Sequence, residues 1–168
     1  IDAYSDYGVK VPERAKRGSG PQPFSNKRGA YNWNQAVKPE FDVQTELDVD
    51  TKRASDLRAL GFTTVHVKAA DGIFRGTGAI VNLGESSIAD EMVSGTATMN
   101  LSFEKGSSTQ DYPSSLMGAV ALIRQTFLDA AWYKSAYEKY KLNPDQPEPN
   151  YNISLETLND QLTRKLPA

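Results

Sequence analysis

The 168-residue sequence contains no cysteine and a single histidine, His66. Without cysteine the chain has no disulfides, no thiolate nucleophile and no zinc site with sulfur ligands. One histidine cannot supply the two or three imidazoles that catalytic zinc sites usually use. A serine–histidine–aspartate relay would need His66 as its base, and the sequence allows no such triad to be assembled around it.

Long apolar runs and an excess of one charge are also lacking. No stretch approaches the roughly 18 apolar residues of a membrane span, so we expect no membrane-spanning helix in this sequence. The formal net charge at pH 7 is -2, from 19 basic and 21 acidic residues. This balance gives no overall field that would attract nucleic acid or an anionic membrane. With 39% hydrophobic residues the chain can bury one moderate core, which predicts a single domain or part of one across 1–168.

Hydrophobic periodicity predicts a chain of mixed helices and strands. Three segments have apolar residues at helical spacing: 50–60, 116–140 and 154–165. Three others are short β-branched or alternating runs that are typical of strands: 62–69, 79–83 and 96–103. An α/β fold follows from this order.

Capping residues and apolar rows define the predicted helices. Asp50 or Thr51 precedes the first helix, Ser114 or Ser115 the second and Ser154 the third. In the long helix we expect one apolar row to face the core: Leu116, Val120, Ile123, Phe127 and Ala131. In the last helix the corresponding row is Leu155, Leu158, Leu162 and Leu166.

The glycine-rich segment 72–78 follows a predicted strand, where backbone amides can cradle a phosphate. It lacks the Gly-Lys-Ser/Thr ending of a P-loop and leads into another strand rather than a long helix. We therefore favour a tight turn over a phosphate site.

The start of the sequence, IDAYSDYG, is also typical of a strand that enters a loop, and candidate functional side chains lie on this strand and on 62–69. Strand periodicity places Asp2, Tyr4 and Asp6 on one face, where they could hold an oxygen-ligated cation. Alternatively, Asp6 caps the turn that follows it. In the strand after the first helix, His66 shares a face with Lys68 and is either a general base or a packed ring, and we favour packing.

Three segments of the sequence carry a resemblance when they are taken in order: IDAYSDYG, GFTTVHVKAADGIFRGTGAIVNL and SSTQDYPSSLMGAVALIRQTFLDAAWY. Together they resemble the metal-dependent amidohydrolase superfamily, particularly its imidazolonepropionase-like branch. IDAYSDYG at the start resembles the first barrel strand, where the family has Ile-Asp-x-His-x-His. GFTTVHVKAADGIFRGTGAIVNL is similar to the Gly-Val-Thr-Thr-Val strand of the family and the glycine-rich loop after it. SSTQDYPSSLMGAVALIRQTFLDAAWY resembles the helix that follows.

The resemblance implies a partial (β/α)8 TIM-type barrel with parallel strands and long loops. It implies that the chain is a fragment of a longer protein, whose intact form would hydrolyse C–N bonds of amides, cyclic amides or peptides using a divalent, zinc-like metal. We expect the fragment itself to be inactive and to hold no cofactor. Its expected partner is the remainder of its own barrel, and its open sheet edges allow self-association.

The resemblance also assigns residues. Tyr4 and Asp6 stand where the family has its two metal histidines, so Asp6, with Tyr4 beside it, is the expected metal ligand. Asn82 is the tentative match to a strand lysine that bridges metals in some members. We expect His66, Lys68 and Asn82 to contact a ligand. The altered first strand leaves a second interpretation open, in which the chain is a non-catalytic binding or scaffold module that has lost its metal site.

Overall fold

The computed structural model of the protein describes residues 1–14, 16 and 19–165. Its strands are β1 (Asp2–Ser5), β2 (Thr64–Val67), β3 (Phe74–Asn82) and β4 (Met92–Leu101). Its helices are α1 (Val43–Glu46), α2 (Thr51–Ala59), α3 (Ile88–Glu91), α4 (Leu116–Leu142) and α5 (Ile153–Thr163). Within these residues, no helix combines the length and the apolar character that a membrane crossing requires.

The strands form one open, mixed sheet in the order β1-β2-β3-β4, so the α/β prediction is confirmed. β1 and β2 are parallel, with Asp2 opposite Val65 and Ser5 opposite Val67. The other two pairings are antiparallel, which differs from the expected all-parallel arrangement. For β2 and β3 the physical reason is the short connection 68–73, because a parallel crossover needs about a dozen residues or more.

Most of the glycine-rich segment is part of a strand rather than a turn, since β3 already begins at Phe74, and only Gly72 and Ile73 lie in the bend before it. Gly76 has a φ of 73°, and a Cβ there would lie 1.9 Å from the carbonyl oxygen of Phe41. The register between β3 and β4 shifts between Phe74 and Thr77, which indicates a bulge at this glycine. Glycine therefore serves here to bend the strand and to let another backbone approach.

Two apolar clusters hold the fold together. The first lies under one face of β2 and β3 and includes residues of α1 and α2: Val43, Ala54, Val65, Val67, Ala79 and Val81. The second joins the start of β3 to α4 and α5: Ile73, Phe74, Ala119, Leu122, Leu155 and Leu158. The first cluster fixes which side chains of β2 and β3 point away from the core.

The helices begin near the predicted caps. Asp50 caps α2, where Oδ1 accepts a hydrogen bond from the backbone N–H of Arg53 at 2.9 Å. Ser115 caps α4. The cap of α5 is Asn152 and not the predicted Ser154, whose side chain is buried and donates to Glu40 at 2.8 Å.

The face that the long helix α4 buries matches the expected one only in part. Its buried residues are Ala119, Leu122, Thr126, Ala130 and Tyr133. Leu116 and Val120 of the predicted apolar row are instead exposed, as are Met117 and Leu128. Ile123 and Phe127 of the same row are partly buried and pack against the core, so the prediction was right for these two and wrong for Leu116 and Val120. The reason is that α5 and β3 contact a stripe centred on Leu122 and Thr126, beside the most apolar one. In α5, Leu155 and Leu158 are buried as expected, and Leu166 lies outside the described residues.

Candidate functional site

The two faces of the sheet differ in their chemistry. Alternation along β2 and β3 turns Val65, Val67, Ala79 and Val81 toward the core and the intervening residues to the opposite side. That opposite side carries a cluster of polar side chains around a central glycine, which we call the polar face: Tyr4, His66, Lys68, Gly78, Thr98 and Asn100. It is the strongest candidate for a functional surface in the fold.

His66 lies in the middle of the polar face with both ring nitrogens engaged. Nδ1 lies 3.1 Å from the carbonyl oxygen of Ala3 in β1, and Nε2 lies 2.8 Å from Oγ1 of Thr98 in β4. A carbonyl oxygen can only accept, so Nδ1 carries a proton and donates it to Ala3. The ring thus ties β1 to β4, as the packed interpretation of His66 predicts.

Gly78 of β3 lies directly beneath this connection. A Cβ at this position would lie 2.5 Å from Oγ1 of Thr98 and 2.6 Å from Nε2 of His66. The polar chain continues from Oγ1 of Thr98 to Oδ1 of Asn100 at 3.3 Å, and Nδ2 of Asn100 donates to the carbonyl oxygen of Gly76 at 3.3 Å. The absence of a side chain at Gly78 therefore creates the space in which the polar side chains meet.

Tyr4 and Lys68 form the exposed end of the polar face. The Lys68 ammonium lies 3.3 Å from the centroid of the Tyr4 ring, which is a close cation–π contact. Tyr4 is 73% exposed, whereas Lys68 is only 7% exposed. Hydrogen bonding and then the charge of Lys68, with a further contribution from Arg75, lower the pKa of the Tyr4 phenol from its ordinary value.

Arg75 adds a second buried positive charge to this end of the polar face. The side chain is 5% exposed, and its Nε donates to the carbonyl oxygen of Gly72 at 2.9 Å. No ion pair among residues 1–14, 16 and 19–165 involves either Lys68 or Arg75. Within that part of the chain, both cations therefore lack a carboxylate partner.

Asp6 is not part of the polar face. Its carboxylate forms an ion pair with Arg53 of α2, and both side chains are about half exposed. The expected common face of Asp2, Tyr4 and Asp6 depends on strand alternation, but β1 ends at Ser5. Asp6 already belongs to the following turn, where its carbonyl oxygen accepts from the N–H of Val9 at 3.2 Å. The structure therefore does not bring Tyr4 and Asp6 together.

The three predicted ligand-contacting residues are separated along the sheet. His66 and Lys68 join Tyr4 on the polar face, whereas Asn82 pairs with Thr64 at the opposite end of β2. Oδ1 of Asn82 accepts from Oγ1 of Thr64 at 2.9 Å, and this contact is exposed. Whether any of the three contacts a ligand stays a prediction.

Asp71 is a buried charged residue that the sequence analysis did not single out. It forms an ion pair with Lys38, and its carboxylate accepts from the N–H of Ser107 at 2.5 Å and from its hydroxyl at 2.9 Å. Burial raises the pKa of Asp71, but Lys38 and Ser107 together lower it further, so the net shift is downward. Both partners are more than thirty residues away in sequence, so no local signal could have revealed them.

Comparison with solved structures finds a protein of similar fold, the crystal structure described as an amidohydrolase from Thermotoga maritima MSB8. The match has a TM-score of 0.64 at 20% sequence identity and covers 99% of this chain. The two share a fold. This chain spans only 43% of the length of that protein. No family model and no curated protein sequence matches the chain.

The resemblance to amidohydrolases implies a divalent metal, so the fit of the candidate ligands matters. Tyr4 lies against the ammonium of Lys68, and Asp6 lies against the guanidinium of Arg53. A metal ion at either residue would add positive charge beside an existing cation. The described residues also contain no group of three or more histidine, aspartate or glutamate side chains that could hold a metal. By themselves these residues do not fit a divalent metal.

Proposed function

We propose that the chain is part of an amidohydrolase-like barrel protein, whose intact form hydrolyses C–N bonds in amides, cyclic amides or peptide-like compounds. The observation that carries this proposal is the fold likeness to the Thermotoga maritima protein, which extends over 99% of this chain but over 43% of that one. The ordered resemblance of three sequence segments to the same superfamily supports it independently. We also propose that a further part of the protein completes a TIM-type barrel.

The surface of α4 supports a larger assembly. Met117 is 83% exposed and Leu128 and Trp132 are each 65% exposed along this helix. Beside them, an apolar cavity of about 420 Å³ lies between α4 and the end of β4, with Leu101, Phe103, Val120 and Ile123 in its lining. Burying apolar surface of this kind contributes about 25 cal/mol of stabilising free energy per Å². We propose that the remainder of the barrel covers it, with self-association through the open sheet edges as the alternative.

The polar face supplies groups that suit acyl chemistry. Lys68, Arg75 and the Tyr4 phenol present positive charge and hydrogen-bond donors on one surface, where they would stabilise a developing oxyanion or hold an anionic substrate group. Because the described residues do not form a metal site, we assign no metal-dependent step to them. Asp6, and Tyr4 beside it in sequence, remain the positions of this chain that we propose to approach a metal in the intact protein, where ligands from the rest of the barrel would have to outweigh the charges of Arg53 and Lys68.

Metal content and turnover of the full-length protein test the proposed function. We expect stoichiometric zinc, iron or manganese by elemental analysis and hydrolysis of N-acyl amides that a chelator abolishes. In Asp6→Ala we expect metal and activity to fall together. Asp145→Ala, at an exposed carboxylate, is the matched control and should change neither. If Asp6→Ala leaves both unchanged, the assignment of Asp6 fails.

A second candidate function is a non-catalytic binding or scaffold module. The observation that favours it is the pairing of each proposed metal position with a cation, Tyr4 with Lys68 and Asp6 with Arg53. The same experiment separates the two functions. A full-length protein that is purified without metal and hydrolyses no amide in the panel supports the module and contradicts the hydrolase.

A further inference from the structure

The unneutralised cations at the end of the polar face point to a binding site. Lys68 and Arg75 are 7% and 5% exposed, so each has lost most of its hydration. Buried charges are normally paired with an opposite charge, because removal from water penalises the charged form. No described carboxylate forms an ion pair with either residue, whereas the nearby Lys38 has Asp71 as its partner.

The Lys68 ammonium lies against an exposed aromatic ring. In the described ranges, Oε1 of Gln161 is the only buried side-chain nitrogen or oxygen without a hydrogen-bond partner. The charged ends of Lys68 and Arg75 therefore each touch solvent or a hydrogen-bond partner. The Tyr4 ring is itself 73% exposed, so a ligand that displaced this ring would reach the ammonium.

The chemistry of the pair selects the ligand. A guanidinium presents a planar set of donors that matches a carboxylate, and an ammonium adds a point charge. The aromatic ring beside them offers an apolar surface for the carbon chain next to the carboxylate. We propose that Lys68, Arg75 and Tyr4 bind the carboxylate of a small organic molecule.

If the proposed function holds, the carboxylate site also indicates the class of substrate. This inference rests on the proposed function. The hydrolysed amides would then carry a free carboxylate, which this end of the polar face anchors while the C–N bond lies further along the sheet. Carboxylate binding itself does not depend on hydrolysis. It can therefore be measured with molecules that contain no C–N bond.

Isothermal titration of the full-length protein with benzoate and with benzyl alcohol tests the site. The two probes are similar in size and differ in charge, so we expect benzoate to bind at least about tenfold more tightly and to weaken with added salt. Lys68→Met should weaken benzoate about 10- to 100-fold, because it removes a hydrogen bond between charged groups. Lys68→Arg retains the charge and should keep most of the affinity. Lys52→Met, at an exposed lysine of α2, is the control and should bind like the unmodified protein.

Several results would overturn the carboxylate site. Equal affinity for the two probes, or unchanged benzoate affinity in a folded Lys68→Met, would contradict it. Tighter binding of inorganic phosphate than of benzoate would contradict the assigned ligand chemistry. Amide hydrolysis without preference for carboxylate-bearing substrates would contradict this site but not the proposed function. Benzoate binding without any hydrolysis would contradict the proposed function but not this site.

Discussion

His66 and Thr98 are joined by a 2.8 Å hydrogen bond although a complete strand lies between them. His66 belongs to β2 and Thr98 to β4, and their side chains meet above Gly78 of β3. Through Nδ1, His66 also reaches the Ala3 carbonyl oxygen of β1. A single imidazole therefore links three strands on the polar face, and this link depends on a glycine.

Gly78→Ala should break this link and destabilise the protein. The added methyl group would lie 2.5 Å from Oγ1 of Thr98 and 2.6 Å from Nε2 of His66, so one of these side chains must move. Overpacking of this kind typically costs about 1–3 kcal/mol. Urea denaturation of the full-length protein measures the change. Gly20→Ala is the control, since no atom lies within 4 Å of its added carbon. Equal denaturation midpoints for the two variants would show that the crowding at Gly78 is relieved without loss of stability.

Asp71→Asn should destabilise the protein in a pH-dependent way. The substitution removes the charge that pairs with Lys38 and weakens two hydrogen bonds from Ser107, at a cost of about 1–3 kcal/mol at neutral pH. The pKa of Asp71 lies below its ordinary 3.8, so its stabilising effect is complete above about that pH. It is lost as the pH falls through the lower folded-state value.

The stability difference between the unmodified protein and Asp71→Asn should therefore shrink below about pH 4, when the carboxyl group becomes protonated. Unfolding free energies measured from pH 7 down to pH 2 test this. Asp145→Asn, at an exposed carboxylate, should show no such trend. A difference that stays constant across this range would contradict the assigned pairing.

Tyr4 should ionise at lower pH than an ordinary tyrosine. Hydrogen bonding and charge from Lys68, supported by Arg75, lower the pKa of its phenol below 10.0. In an ultraviolet titration, the full-length protein should show one early phenolate that is missing in Tyr4→Phe. Lys68→Met should move that ionisation toward higher pH. Superimposable titrations of the unmodified protein and Tyr4→Phe below pH 10 would rule out the close approach of the two cations.

The exposed apolar side of α4 should be buried in the full-length protein. Leu128→Lys should then destabilise it by about 2–5 kcal/mol, because a leucine in an interface would be replaced by a charge. Leu142→Lys, at the end of the same helix, is the matched control and should have little effect. Denaturation midpoints give the comparison. If Leu128→Lys costs as little as Leu142→Lys, nothing packs on this side of α4.

The sequence was most informative where structure is local. The α2 helix is confirmed with its Asp50 cap, and so is the α4 helix with its Ser115 cap, because capping and periodicity are properties of neighbouring residues. The strand at His66 and the alternation that places Thr98 and Asn100 together are also confirmed. The bounds of β3 were missed because its glycines signal a turn, although they serve as a bulge and a close approach.

Long-range relationships were not predictable from the sequence. The apolar richness of α4 does not reveal which stripe meets α5, and the row that periodicity selected is only partly buried. The partners of Asp71, Lys38 and Ser107, lie more than thirty residues away from it in the sequence. Strand direction was taken from the resemblance, whereas the short connection 68–73 permits only an antiparallel pairing of β2 and β3.

A crystal structure of the full-length protein in complex with a carboxylate-bearing amide analogue would test most directly whether the polar face is the ligand-binding wall of a larger barrel. We predict that the analogue lies on the polar face within hydrogen-bond distance of Lys68, with the exposed side of α4 covered by the rest of the protein. An analogue bound elsewhere, with the polar face packed against protein, would contradict this.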